Sequence, residues 1–305
     1  MPLLENALAF LLVALVSGNN LPVCCGALIS SRMVSRKAGI AIAVLGYSAG
    51  FAAQRNFLAY GMHQIIPSSA PGLLAVPLGI SAVLFILAHR LRVPQSLSLI
   101  FTSAVVGMGI AIGGAPDMGF ALEIAAFWIA GMAAAFAMAF FALGALRKAL
   151  YRRRIWKSLE AIRLLLIAFS FLAAFTLGAN TIGMVYASVP EGAYSPLAII
   201  AAIAVGSLAL SRGELKRVGE EIMPLRYANA LVSQAVSVII VEAATLLSIP
   251  ISNTQTFTAG LYGSGASYKA RLLLKKPAFT MASVWLFTVA AGLASSYALT
   301  LLLMR

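Results

Sequence analysis

The stretch Leu177-Gly178-Ala179-Asn180-Thr181-Ile182-Gly183 ends a long apolar run with small residues and an amide, where a membrane helix would otherwise continue unbroken. A looser copy, Val16-Ser17-Gly18-Asn19-Asn20-Leu21-Pro22, lies near the start of the chain. Polar groups in hydrocarbon are costly unless they face the protein interior or a water-filled cavity. Two such interruptions predict a duplicated membrane protein built around a central polar site.

Composition agrees. The chain has 305 residues, 61% hydrophobic and 10% charged, with a mean hydropathy of +0.96. Soluble domains carry roughly 25% charged residues, so the expected class is an all-α, multi-pass protein of the cell membrane. No basic n-region or cleavage site marks a removable signal, and the first apolar run is read as a mature helix. A net charge of +13 would suggest nucleic-acid binding in a soluble chain. Here the cations fall in short connections between apolar runs, where they fix orientation, so no nucleic-acid partner is expected. The two cysteines, Cys24 and Cys25, are adjacent within a membrane run and have neither disulfide nor metal-ligand spacing.

Crossing hydrocarbon takes about 20 residues of helix. On that basis ten segments are expected, at 6–30, 38–60, 72–89, 94–113, 118–146, 159–187, 193–211, 227–247, 250–267 and 277–304. The fourth and ninth are short and polar, and read as broken or re-entrant helices. Basic connections occur at Arg32/Arg36/Lys37, Arg90/Arg92, Arg147 to Lys157, Arg212 to Arg226 and Lys269 to Lys276. The intervening connections 61–71, 114–117, 188–192 and 248–249 hold no Lys or Arg. The alternation places the N-terminus outside. It also makes residues 1–146 and 159–305 two five-segment repeats of opposite orientation, joined by a basic cytoplasmic linker at 147–158. Inverted repeats with interrupted helices are a recurrent transporter design, and the interruptions point to the substrate site. Arg212 to Ile222 reads as an amphipathic piece lying along the interface.

Two further polar clusters share one design. In Val93-Pro94-Gln95-Ser96-Leu97-Ser98-Leu99 and Ile249-Pro250-Ile251-Ser252-Asn253-Thr254-Gln255-Thr256, hydroxyls or amides follow a proline. Pro suits a helix start, and Ser or Asn its cap. A helix N-terminus leaves N–H groups free and carries partial positive charge, so two such ends would form an anion site without a buried cation. Such residues also serve as plain caps or interhelical hydrogen bonds. Their repetition beside matching interruptions favours function. The candidate substrate-binding set is Asn19, Asn20, Ser96, Ser98, Asn180, Thr181, Ser252, Asn253 and Thr254.

These residues resemble the inorganic phosphate transporter family, also called the phosphate/sulfate permease family, as a divergent member. Its repeated signature has the form G-A-N-D-x-x-N, followed in each half by P-V-S-T-T-H. Gly178-Ala179-Asn180-Thr181 fits the first, Ser17-Gly18-Asn19-Asn20 fits it loosely, and Pro250-Ile251-Ser252-Asn253-Thr254-Gln255 follows the second. Pro94 to Leu99 follows the second more weakly, and Arg217 to Leu225 looks like the family's V-G-x-x-I-x-P-L element. The resemblance implies a phosphate permease working by alternating access, with cation-driven uptake. It assigns Asn19 and Asn180 to the motif asparagines, and Ser96, Ser252 and Thr254 to hydroxyls at the anion.

The motif acids are Asn20 and Thr181 here, and the motif histidines are Leu99 and Gln255. An amide or hydroxyl coordinates a cation only as a neutral oxygen, so coupling to Na⁺ or H⁺ is an open question. Glu242 is the candidate for carrying it, with Gln234 as a possible cavity wall. Glu5, Asp117 and Glu123 read as ordinary carboxylates near the outer interface, His63 as a loop residue, and His89 as the cytoplasmic edge of its segment. No metal site, cofactor or set of general acid, base and nucleophile is evident, so an enzyme is not expected. Sulfate or another oxyanion as substrate, or a non-transporting membrane subunit of the same fold, are the alternatives. Self-association is left open.

Overall fold

The computed structural model describes residues 2–66, 72–90, 95–114, 116–151, 155–188, 196–210, 227–269 and 275–305. Among them every regular element is helical. In chain order these are α1 (Pro2–Ser30), α2 (Arg36–Gln54), α3 (Phe57–Ile65), α4 (Ala75–Arg90), α5 (Leu97–Ala111), α6 (Met118–Tyr151) and α7 (Ile155–Leu177). A π-helical turn (Gly178–Ile182) leads into α8 (Gly183–Ala187), then α9 (Pro196–Ala209), α10 (Tyr227–Leu246), α11 (Asn253–Lys269) and α12 (Lys275–Leu303).

Five stretches are long and apolar enough to cross a membrane: Leu3–Ser30, Met118–Lys148, Glu160–Ala187, Tyr227–Leu246 and Phe279–Leu303. The other expected segments are shorter helices, so the count of ten crossings rests on sequence alone. The second segment is divided at Arg55 and Asn56 between α2 and α3. His63 lies in α3 rather than in a loop. α5 and α11, with 15 and 17 residues, reach about 22–26 Å at 1.5 Å per residue. That is short of the roughly 30 Å of hydrocarbon, as expected of interrupted helices.

The stretch 16–22 is a correction. It does not break its helix: α1 runs through it with Pro22 inside. Neighbouring helices pack around the stretch, which is how a membrane helix tolerates a proline; separately, the Ser17 hydroxyl donates to the Val13 carbonyl at 2.7 Å. Helix also occupies most of the basic linker, which α6 and α7 enter from either side. Residues 152–154 of that linker, Val93–Pro94, Val189 to Glu191 and the whole of Arg212 to Leu225 lie outside the described residues.

The four most extensive helix pairs are α6–α11, α5–α12, α2–α7 and α1–α9. Each joins the first half of the chain to the second. Exchanging the halves maps the pattern onto itself: the fourth helix of each half packs on the last of the other, and the first on the other's second. Glycines permit these approaches. A Cβ on Gly50 would overlap the Phe175 carbonyl, and one on Gly206 the Ala14 carbonyl. Gly107 stands likewise against Leu293, and Gly263 against Phe136. Gly50→Leu or Gly206→Leu is therefore expected to cost about 3 kcal/mol or more of stability, the upper end for overpacking. Thermal melts in detergent should register this as a clear fall in Tm. Gly79→Ala is the contrast, because its Cβ would meet only Leu8 Cδ1 at 3.8 Å. It should be neutral or slightly stabilising, since Ala gains about 0.5–1 kcal/mol over Gly in a helix.

Candidate functional site

Two half-length helices begin at one place. At the start of α5, the Ser96 hydroxyl accepts from Leu99 N–H at 3.4 Å and the Ser96 carbonyl takes the first helical bond from Ile100. At the start of α11, the Ser252 hydroxyl accepts from Gln255 N–H at 3.2 Å and its carbonyl takes the bond from Thr256. These are matching serine caps. The N–H groups of Leu97, Ser98, Asn253 and Thr254 precede the first helical bond and have no partner within their own helix.

Ser96, Leu97, Ser98, Ser252, Asn253 and Thr254 line one small pocket, together with Asn20 from α1, Leu177 from α7 and Thr181 from the π-turn. Among the described residues no charged side chain contributes to the wall. The positive character comes from the two helix ends, each equivalent to roughly half an elementary charge.

The two helix starts are laced together reciprocally. The Ser98 hydroxyl donates to the Ile251 carbonyl at 2.9 Å, just ahead of the opposite cap. Thr254, the counterpart of Ser98, places its hydroxyl 3.5 Å from the Gln95 carbonyl and donates to Asn20 Oδ1 at 2.9 Å. Seven of the nine expected site residues therefore meet: Asn20, Ser96, Ser98, Thr181, Ser252, Asn253 and Thr254. The two positions that replace the motif acids, Asn20 and Thr181, are both among them.

Asn180 stands behind the pocket. It is fully buried, donates through Nδ2 to Thr245 Oγ1 and the Ile249 carbonyl, each at 3.0 Å, and accepts from Ile251 N–H at 3.0 Å. Its side chain thus splints the turn that delivers Pro250, Ile251 and Ser252 to the site. That turn is tight: α10 ends through Ser248 in the left-handed region at φ 61°, and Ile249 N–H reaches back to the Ala244 carbonyl at 2.9 Å. Trp128 Nε1 holds the Pro250 carbonyl at 2.9 Å from α6. Asn19 is half-buried and is not among the lining residues.

Gln234 bonds the Cys24 carbonyl of α1, with its Oε1 buried and unpartnered. Glu242 is partly buried away from the pocket, where Gln54 Nε2 donates to its Oε1 and its Oε2 has no partner. Asp117 is a helix cap, accepting from Phe120 N–H at 3.0 Å. Glu5 is buried in the first turn of α1. A carboxylate is favourable at that helix end. Sequence reasoning missed Leu97 and Leu177, since apolar walls carry no polar signal. It also missed Thr245 and Trp128, whose roles depend on tertiary approach.

Known proteins share this fold. The phosphate transporter family model matches residues 153–296. A sulfate permease, CysP, of Bacillus subtilis (strain 168) is 25% identical over 239 residues, covering 76% of this chain and 67% of the relative. A solved sodium-dependent phosphate transporter superposes with a TM-score of 0.85 at 15% identity, over 99% of this chain and 98% of that one. Residues 153–296 thus match the phosphate transporter family, and the chain as a whole has the fold of that solved transporter, a multi-pass membrane protein.

Proposed function

We propose that the chain is a secondary transporter carrying inorganic phosphate, or a closely related tetrahedral oxyanion such as sulfate, across the cell membrane by alternating access. The observation that carries this reading is the meeting of two capped helix N-termini in one polar pocket without a charged wall. Four N–H groups and two helix dipoles would replace the anion's hydration. The self-mapping pattern of helix pairs supports two inverted repeats, residues 1–146 and 159–305, with the pocket at their junction. Sulfate is a serious rival because Asn20 and Thr181 put no carboxylate in the wall to accept a proton from a protonated phosphate. The relative named a sulfate permease favours it too.

Uptake of labelled phosphate and sulfate into proteoliposomes, under Na⁺ and proton gradients applied separately, tests the reading. Accumulation of either anion is expected. No uptake of either under any gradient would sink it.

Coupling, where present, is assigned to Glu242, with Gln54 as its partner and Gln234 as a neutral cavity oxygen. Thr245, one turn from Glu242 on α10, bonds Asn180 and so connects that carboxylate to the wall of the site. Glu242→Gln is expected to leave anion exchange intact and to abolish the response to an ion gradient. An unchanged gradient response would reduce Glu242 to a packing role.

A further inference from the structure

Arg55 stands apart from the other cations of the chain. Every other Lys and Arg lies in a basic connection, at Arg163 near the inner end of the sixth segment, or at the terminal Arg305. The charge alternation places Arg55 on the outward half instead. Glu5, Asp117, Glu123, Glu191 and Glu242 fall on that same half, so an approaching anion meets a face richer in carboxylates than in cations. Arg305 shares that side at the end of the chain, and Arg55 is the guanidinium set within a membrane segment there.

The structure holds this guanidinium in place without neutralising it. Its central carbon lies 5.8 Å from the centroid of the Phe51 ring and 5.9 Å from that of Tyr186. The two rings meet edge to face at 5.2 Å. Nη1 donates to the Ala52 carbonyl at 2.9 Å, which uses one of five N–H donors. No ion pair to Arg55 forms among the described residues, and the neighbouring carboxylate, Glu242, is engaged by Gln54 instead. The side chain is half-buried. A charged group at this depth faces a water-filled space more readily than lipid.

Its position relative to the pocket follows from α8. Gly183 packs against the Arg55 backbone, with its Cβ position 3.4 Å from Arg55 Cα. Thr181, in the pocket wall, lies two residues inward along the same chain segment and faces away from the Gly183 side. Tyr186, under the guanidinium, lies further outward. The fixed cation therefore sits further outward than the pocket along this segment, close enough to act on an anion through its field rather than by contact.

We propose that Arg55 is an anion-gathering residue at the outward mouth of the transport pathway, concentrating a free tetrahedral oxyanion above the neutral pocket that binds it. The proposal rests on the oxyanion-permease reading. A clamped cation with free donors raises the local concentration of an anion and its on-rate, and added salt screens the effect. The deeper site supplies affinity through backbone N–H groups, so the gathering step affects apparent KM and leaves turnover unchanged. Arg55 also caps the C-terminal end of α2, where a cation favours the helix dipole. A purely structural role would show in the amount of folded protein and in Vmax, not in salt dependence.

The test measures initial uptake of externally added labelled sulfate and phosphate in cells lacking their own uptake of these anions. Ionic strength is set with choline chloride. Arg55→Gln is expected to raise KM about fivefold to tenfold at low ionic strength, with Vmax unchanged and the difference shrinking to about twofold or less in high salt. Arg55→Lys, which keeps the charge, should stay within about twofold of the wild type. An unchanged KM in Arg55→Gln, or a defect of equal size at all ionic strengths, would overturn the assignment while leaving the permease reading intact. A wild-type protein that takes up neither anion overturns the permease reading, and Arg55's role with it.

Discussion

Ser252→Asp is expected to abolish anion uptake while leaving the protein folded. Aspartate is as good a helix cap as serine, so its carboxylate can still accept from Gln255 N–H and keep α11 in register. The same carboxylate sits in the pocket wall beside Asn253 and Thr254. Two like charges about 4 Å apart repel by roughly 4 kcal/mol at an effective dielectric near 20. That corresponds to a loss of uptake of at least about a hundredfold, even after relaxation. Ser252→Asn, a neutral cap of similar size, is the matched control and should keep most of the activity. Uptake assays and a detergent melt on both variants check this together. Uptake near the wild-type level in Ser252→Asp would mean that the anion does not pass this cap.

Asn180→Leu is expected to damage the site without touching the ligand. The substitution strands Ile251 N–H, the Ile249 carbonyl and the Thr245 hydroxyl from their shared partner. A buried polar group left unsatisfied costs about 1–3 kcal/mol, and the turn carrying Ser252 loses its splint. Tm should fall markedly, and uptake should drop at least about tenfold in whatever folded protein is recovered, the equivalent of about 1.4 kcal/mol. Asn180→Asp should lie between, because a carboxylate still accepts from Ile251 N–H but donates to neither Thr245 nor Ile249. An Asn180→Leu protein with wild-type stability and uptake would remove the splint from the mechanism.

These two residues mark what is legible in the sequence. Ser252 is readable because Pro250, a cap and a polar first turn occur together, and local capping chemistry carries over directly into structure. Asn180 is readable as unusual, but its task is not, because its partners lie 65 to 71 residues away. Ser98 and Thr254 lace the two helix starts across even longer separations, and no local pattern encodes that. The same small-polar signal at 16–22 reads as a break, yet it is a continuous helix in α1. At 178–182 it is a π-turn, a form often found at functional sites. Composition marks where a helix is perturbed, while the packing around it decides the form. Arg55 looks like a segment boundary in the sequence, where only its place on the outward half is unusual. Its two rings and its place beside Gly183 come from the fold.

The crossed pairing of helices also bears on the order in which the molecule can be completed. The principal partner of α5 is α12, which is made only after the whole of the intervening second half. α6 waits for α11 in the same way. The first five segments therefore enter the bilayer with their central faces uncovered, and no translated half holds a closed core. Long-range contacts of this kind fold slowly. Two fragments divided in the central basic stretch would each be incomplete alone and would regain the pocket only by interlocking. α11 and α12 close the pairs that α6 and α5 leave open.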